Sequence, residues 1–239
     1  MLTKTELKRI FSEYGFSPLK RFGENYLIDK NIKDKIIGGA GLSGSDLVLE
    51  IGPGLGALTM DLAESGREVY AVEKDRKAFR ILEDLTFEKY PNLHLVNEDI
   101  LKFDFTSMPN GRIKLLGNLP YYITTPVIEL IVDNRDRIES ALIVIQKEVA
   151  ERLLARPGNE DYASISCFIE YHTEAEYIHT IKRTAFFPEP EVDSALLRLT
   201  IRKAPPVHVR DEELLFKIIR GSFNQRRKSI INSDRKSVV

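Results

Sequence analysis

The sequence has little of what holds proteins together covalently or through metals. Among 239 residues there is a single cysteine, Cys167. A lone thiol excludes an internal disulfide and suits a reducing compartment. It sits among Ile165, Phe168 and Ile169, where a thiol packs as a small hydrophobe. His94, His172, His179 and His208 show no ligand spacing with it, so no metal site is expected. No apolar run approaches the roughly 20 residues of a membrane-spanning helix. Met1-Leu2-Thr3-Lys4-Thr5-Glu6 is charged and lacks the apolar core of a secretory signal. A cytoplasmic protein with no membrane partner is expected.

An excess of one charge is also missing. Lys and Arg number 35 against 36 Asp and Glu, for a net charge of −1. No global basic field therefore announces a nucleic-acid partner. The basic character is local: Lys217, Arg220, Arg226, Arg227 and Lys228 fall in 217–233, which holds no acidic residue. Such a cluster is a footprint for phosphate or a solvated helix face, and charge alone leaves both open.

What is present is a regular alternation of element signals. Thr3-Lys4-Thr5-Glu6 is a capping box, followed by Leu7, Ile10 and Phe11 at helical spacing and Gly15 as a stop. Residues 18–27 mix Lys20 and Arg21 with aromatics, glycine and asparagine. This irregular stretch either lies over a ligand site or is a surface connection. Short buried strands are predicted at 47–51, 68–72, 93–97, 113–116 and 141–145. Helices are predicted at 29–37, after the Gly52–Thr59 stretch through about Glu64, and at 76–87, 125–131, 148–155 and 161–172. Two late strands, 174–181 and 194–201, are expected as an antiparallel edge. Pro188 and Pro190 stiffen the connection between them. Lys203-Ala204-Pro205-Pro206 reads as a linker before a helix at 212–222, and another helix begins near Arg226. The pattern implies an α/β fold: a doubly wound, Rossmann-like sheet with a small helical appendage.

Four polar signals fall at the strand ends: Gly52/Gly54/Gly56, Glu73, Asp99 and Asn118. Ligands of open parallel sheets bind beyond these carboxyl ends. The glycines permit a tight turn and close backbone approach, as NAD, FAD and S-adenosylmethionine sites all require. Ala57, at the last position of the dinucleotide fingerprint, does not exclude NAD. Glu73 follows Gly52 by about 20 residues, where a carboxylate accepts ribose hydroxyls. Asp99 can accept from an adenine amine or cap the next segment.

Asn118-Leu119-Pro120-Tyr121 separates the cofactors. A dehydrogenase has no obvious use for it, whereas an amine methyltransferase does. The exocyclic amine of adenine is a poor nucleophile because its lone pair is delocalised into the ring. Acceptors at the amine hydrogens, the Asn118 side-chain oxygen and the Pro120 carbonyl, would favour a pyramidal nitrogen. Tyr121 could stack on the base. This is positioning and electrostatics, acting on a base taken out of its stack.

On these residues the chain resembles the small-subunit ribosomal RNA adenine N6,N6-dimethyltransferase family (KsgA type), over nearly its whole length. Glu24-Asn25-Tyr26-Leu27 is similar to the family's Gln-Asn-Phe-Leu. Glu50-Ile51-Gly52-Pro53-Gly54-Leu55-Gly56-Ala57-Leu58-Thr59 is close to its glycine loop. Phe186-Phe187-Pro188-Glu189-Pro190-Glu191-Val192-Asp193-Ser194 resembles its Phe-x-Pro-x-Pro-x-Val-Asp-Ser, and Phe223 to Ser229 its basic C-terminal motif.

The resemblance implies S-adenosylmethionine as cofactor. Asn25, Leu27, Gly52, Gly54, Glu73, Asp99 and Asn118 would bind it, with Asn118, Pro120 and Tyr121 as catalytic residues. Phe186 would face the target base opposite Tyr121, and Arg226, Arg227 and Lys228 would contact RNA. The partner implied is small-subunit rRNA in a pre-ribosomal particle, methylated at two adjacent adenosines near its 3′ end, and a monomer is expected. Glu24 departs from the family's Gln. Tyr122 stands where Asn is common, so its backbone is expected to matter more than its ring.

Two domains follow, a methyltransferase domain at 1–203 and a partial helical RNA-contacting domain at 204–239. Asp234-Arg235-Lys236-Ser237-Val238-Val239 does not continue the family pattern. A common sequencing adapter encodes these residues, so a longer natural protein is expected. The alternatives are a large-subunit rRNA methyltransferase of the antibiotic-resistance type, a DNA adenine methyltransferase, a mainly non-catalytic ribosome-assembly factor and an NAD oxidoreductase.

Overall fold

A computed structural model of the chain describes residues 2–17, 25–65, 68–86 and 88–223. Lys20, Arg21, Glu24, Arg226, Arg227, Lys228 and the helix expected from Arg226 lie outside the described residues.

The parallel part of the sheet is built from β2 (Leu47–Ile51), β3 (Glu68–Val72), β4 (Leu93–Val96), β5 (Ile113–Asn118) and β6 (Ile138–Gln146). Strand β2 is buried along its whole length. Its period of two sends Leu47, Leu49 and Ile51 into one apolar layer and Val48 into the other. Helices α2 (Lys30–Gly39), α3 (Thr59–Glu64), α4 (Arg76–Thr86), α5 (Thr124–Asp133) and α6 (Lys147–Leu153) alternate with these strands. Two 3-10 turns, Ile100–Lys102 and Phe105–Ser107, precede β5.

Among the described residues the sheet has seven strands, and it is mixed rather than purely parallel. After α7 (Ser164–His172) come β7 (Thr173–Ile181) and β9 (Ser194–Ile201). Strand β9 inserts antiparallel between β6 and β7, giving the order β4-β3-β2-β5-β6-β9-β7. The expected antiparallel edge is therefore present, with β7 outermost.

Strand β5 runs two residues beyond its predicted end because Gly117 lets it. A Cβ at Gly117 would lie 3.2 Å from the Ile51 carbonyl oxygen and 2.9 Å from Leu119 Cδ2. With no side chain there, Gly117 pairs with both Ile51 and Ile143, and Asn118 pairs with Val144. Asn118 thus stands on a ladder position, held more firmly than a loop residue.

The irregular stretch ending at Leu27 and the proline-rich connection carry a second sheet. Strand β1 (Tyr26–Leu27) pairs antiparallel with β8 (Phe186–Phe187), Tyr26 opposite Phe187 and Leu27 opposite Phe186. The Ile28 amide extends the pairing to the Ala185 carbonyl at 2.8 Å. Phe187–Pro188 is a cis peptide. Helix α1 (Lys4–Glu13) backs this small sheet. Its capping box forms, with the Glu6 amide donating to Thr3 Oγ1 at 3.3 Å and the Thr3 amide to Glu6 Oε2 at 2.7 Å, an arrangement worth about 1 kcal/mol. Phe11 then packs on Phe16, Tyr26 and Phe187, with ring centroids 5.5, 5.7 and 6.2 Å apart.

Helix α8 (Glu212–Phe223) docks on α7 through Phe216, which packs against Phe168, Tyr171 and His172. His172 is buried and its ring stacks on Phe216, 5.3 Å between centroids. Burial lowers its pKa below the ordinary 6.5. Glu212 and Asp133 oppose the shift, and Arg135 adds to it. A histidine kept neutral in the folded state loses its contribution as pH falls through the unfolded value. Lowering the pH below about 6.5 is therefore expected to loosen α8. Relative to the intrinsic hydrogen-exchange rate at each pH, protection over 212–223 should fall in the wild type and stay constant in His172→Phe. Equal loss of protection in both would refute the assignment to His172.

Candidate active site

The carboxyl ends of β2, β3 and β5 border a cleft that is partly open to solvent. It is lined by nine residues selected from the sequence: Asn25, Leu27, Gly52, Gly54, Glu73, Asp99, Asn118, Pro120 and Phe186. Asn25 and Leu27 reach it from β1 and its lead-in, and Phe186 from β8. The two-stranded sheet is thus what carries these side chains to the ends of the parallel strands.

Gly54 has φ +57°, a left-handed conformation that side chains rarely adopt, and a Cβ there would lie 3.0 Å from Tyr26 Cε1. Its amide donates to Glu73 Oε2 at 3.0 Å, while Glu73 Oε1 accepts from the Asp75 amide at 2.7 Å. The glycine loop and the end of β3 are therefore tied through one carboxylate.

Of the two roles left open for Asp99, the structure shows the cap. It caps the turn at Ile100, accepting from the Leu101 amide at 3.1 Å, and it lines the cleft. Burial alone would raise its pKa, but Lys74 Nζ at 2.8 Å and the Leu101 amide outweigh that. The carboxyl stays below its usual range and remains an acceptor.

Asn118 is oriented. Its Nδ2 donates to the Asn25 carbonyl at 2.9 Å, which commits the amide nitrogen and leaves Oδ1 as the end free to accept. The orientation follows from this hydrogen bond. The Pro120 carbonyl accepts from the Ile123 amide at 3.1 Å and keeps a second lone pair. Tyr121 stands off the cleft lining. Its hydroxyl is 3.2 Å from Ser194 Oγ, and burial pushes the phenol pKa up, with Ser194 opposing. Tyr122, 52% exposed, does line the cleft.

Three further residues belong to this region without a sequence signal that assigns them a role. Ser194 opens β9 and is buried against Tyr121. Tyr122 was read for its backbone only. Glu50 was quoted only as part of the glycine loop, yet it lines the cleft and is 2% exposed. Its signal was legible as an acid inside the otherwise apolar Leu47-Val48-Leu49-Glu50-Ile51. Among the described residues no group of three or more His, Cys, Asp or Glu could hold a metal ion. No described helix is long and apolar enough to cross a membrane.

The fit to a nucleoside with an amino-acid tail is chemical. The cleft offers a glycine turn that a Cβ would fill and ribose-type and amine-type acceptors at Glu73 and Asp99. Apolar walls come from Leu27, Ile51 and Phe186. Comparison with known proteins agrees. The family model described as ribosomal RNA adenine dimethylase matches residues 15–238. A protein named ribosomal RNA small subunit methyltransferase A from Geobacillus sp. (strain WCH70) is 46% identical over 239 residues, covering 97% of this chain and 81% of that protein. A namesake from Lachnoclostridium phytofermentans is 44% identical over 93% of this chain and 79% of its own length. Among solved structures, a dimethyladenosine transferase from Plasmodium falciparum is 29% identical with a TM-score of 0.76, covering 87% of this chain and 74% of that one. The 23S rRNA methyltransferase ErmE is 28% identical with a TM-score of 0.72, over 89% and 84%.

Proposed function

The chain belongs to the ribosomal RNA adenine dimethylase family, and we propose from that premise that it dimethylates N6 of two adjacent adenosines near the 3′ end of small-subunit rRNA. It is a methyltransferase that uses S-adenosylmethionine. The observation that carries the reading is Asn118, whose amide is turned by the Asn25 carbonyl so that Oδ1 is left to accept. It stands in the cleft that also holds Glu73 and Asp99.

S-adenosylmethionine supplies an electrophilic methyl group when bound. In this reading the protein's residues do the rest. Glu73 accepts the ribose hydroxyls, Asp99 the adenine amine, and Asn25, Leu27 and the loop at Gly52 and Gly54 shape the remainder of that site. Asn118 Oδ1 and the Pro120 carbonyl accept from the hydrogens of the target amine and localise its lone pair toward the cleft. These acceptors are built before substrate arrives and need no reorganisation at the moment of transfer. The flipped base meets Phe186 in the cleft and Tyr121 at its margin, where Ser194 holds the phenol. The proton leaves after the nitrogen has become cationic, so no strong base is required.

The partner in this proposal is a maturing small subunit in the cytoplasm, met by a monomer. Residues 1–203 act as the methyltransferase domain, and 204–239, with Arg226, Arg227 and Lys228, contact RNA. Identity of 44–46% to the small-subunit enzymes, against 28% to the large-subunit ErmE, favours this target. The test is labelled S-adenosylmethionine with immature small subunits, large-subunit rRNA and DNA, read by nucleoside mass spectrometry. Dimethyladenosine in small-subunit rRNA is expected, and its absence there would overturn the reading.

Ser194 is expected to position Tyr121. Ser194→Ala removes a bond worth about 1 kcal/mol and frees the phenol. Turnover with RNA should drop about fivefold, on the energy scale of that bond, while donor affinity is unchanged. An equal loss of donor binding would point to a general structural defect instead.

A further inference from the structure

Helix α1 precedes residues 15–238, the stretch that the family model matches, so the chemistry shared by the family gives it no task. Packing explains its buried face, where Leu7 and Ile10 join Tyr26, Leu55 and Ile81 in one apolar cluster. A second stripe needs another explanation. Lys4, Lys8 and Phe11 fall at i, i+4 and i+7, on one side of the helix, and all three meet the ring of Phe187. The Phe11 ring stacks on it at 6.2 Å, with 18° between the planes. The ammonium groups of Lys4 and Lys8 stand over it, 5.1 and 5.9 Å from its centroid.

Helix stability does not account for this pair of cations. Like charges one turn apart repel, and a cation in the first turn, as Lys4 is, opposes the helix dipole. The acids of the same helix are engaged elsewhere. Glu6 accepts from the Thr3 amide and hydroxyl, both at 2.7 Å, and Glu13 pairs with Arg9 at 3.6 Å. Both lysines are exposed, and among the described residues neither has a carboxylate partner. The negative face of the ring attracts each ammonium, which gathers two flexible side chains at one spot and leaves their hydrogen-bond donors available. That spot adjoins the base pocket. Phe186 and Phe187 are consecutive in β8, and strand alternation turns Phe186 into the cleft and Phe187 toward α1.

We propose that Lys4 and Lys8, gathered over Phe187, bind phosphates of the RNA strand beside the target adenosine, so that α1 is a substrate-positioning element. The proposal rests on the RNA-substrate reading above. A nucleotide taken out of its stack stays tied to its strand, so the phosphates on either side of it lie next to the pocket that Phe186 lines. An ammonium is a compact point charge that takes phosphate without a fixed geometry. Such contacts carry no sequence information. They set where the strand lies, and hence whether the base reaches Phe186 and Asn118. On a single strand each phosphate contact contributes about 0.7 to the slope of log affinity against log salt. Two contacts amount to about 25-fold in affinity between 1 M and 0.1 M salt, on the same slope.

The test is binding of a labelled RNA from the 3′ end of small-subunit rRNA, at salt between about 0.1 and 1 M, by the wild type and by Lys4→Gln/Lys8→Gln. The double variant is expected to bind about 25-fold more weakly at the low-salt end, with a slope shallower by about 1.4, and to match the wild type at the high-salt end. Lys4→Arg/Lys8→Arg keeps the charge and should keep both affinity and slope. Affinity for S-adenosylmethionine should be unchanged in the glutamine variant, and its melting temperature equal to or above that of the wild type, because a like-charge pair is relieved. A lower melting temperature with weaker donor binding would make the stripe structural and overturn the proposal. Unchanged RNA affinity and slope would overturn it as well, and if binding to immature small subunits weakened at the same time, the stripe would face a ribosomal protein instead. Each of these outcomes leaves the RNA-substrate reading standing. Failure of the wild type to bind or methylate any RNA overturns both.

Discussion

Asn118→Ala is expected to slow methyl transfer by about 10²–10³-fold, the scale of losing one preorganised charge-stabilising group. The protein should stay folded, because the side chain lies at the open end of β5 and alanine tolerates the ladder conformation. Two losses add. The Oδ1 acceptor for the target amine disappears, and so does the Nδ2 bond to the Asn25 carbonyl at 2.9 Å. The second loss should weaken donor binding only slightly, since Asn25 is also fixed by its neighbour Tyr26 in β1. Asn118→Asp separates the two effects. It keeps an acceptor but turns a carboxylate oxygen toward the Asn25 carbonyl, so it should lose activity through misplacement. Donor binding measured by calorimetry and transfer measured in a single turnover give the split. An Asn118→Ala protein that methylates at the wild-type rate would remove Asn118 from the chemistry.

Gly54→Val is expected to abolish useful donor binding, raising the dissociation constant by about 100-fold, equivalent to about 2.7 kcal/mol. Three costs combine. A side chain at φ +57° costs about 1–2 kcal/mol in the left-handed region, and more when branched at Cβ. The added carbon would also meet Tyr26 Cε1 at 3.0 Å. A loop that shifts to escape loses the Gly54 amide bond to Glu73, which frees the ribose-binding carboxylate to reorient. Tyr26 pairs with Phe187, so the displacement reaches β8, which carries Phe186. Gly54→Ala should show the same defect at lower amplitude. Unchanged affinity in Gly54→Val would mean that the turn at Gly54 does not shape the donor site.

Much of the frame was readable from the chain. Runs such as Leu47-Val48-Leu49 and Ala141-Leu142-Ile143 are too apolar for anything but buried strands. The glycine turn and the acids ending 68–72 and 93–97 mark the edge at which such sheets bind ligands. Local pattern sufficed there because strand periodicity and turn chemistry act over a few residues. The end of β5 was misjudged by two residues because Gly117 reads as a breaker. Only the proximity of Ile51 makes it a requirement of the sheet.

The sequence by itself determined the α/β class, the strand-end signals at Gly52, Glu73, Asp99 and Asn118, and the resemblance that named a chemistry for them. The tertiary structure decided how those residues are held. It paired Tyr26–Leu27 with Phe186–Phe187, segments far apart in the chain whose hydrogen-bonding edges carry no local signature. It turned the Asn118 amide by a carbonyl at Asn25, and it set Tyr121 against Ser194 while Tyr122 faced the cleft. It also left Glu50 buried without a partner for Oε2. Each of these depends on which groups meet across the fold, and hydrogen bonds and desolvation are fixed only by such meetings.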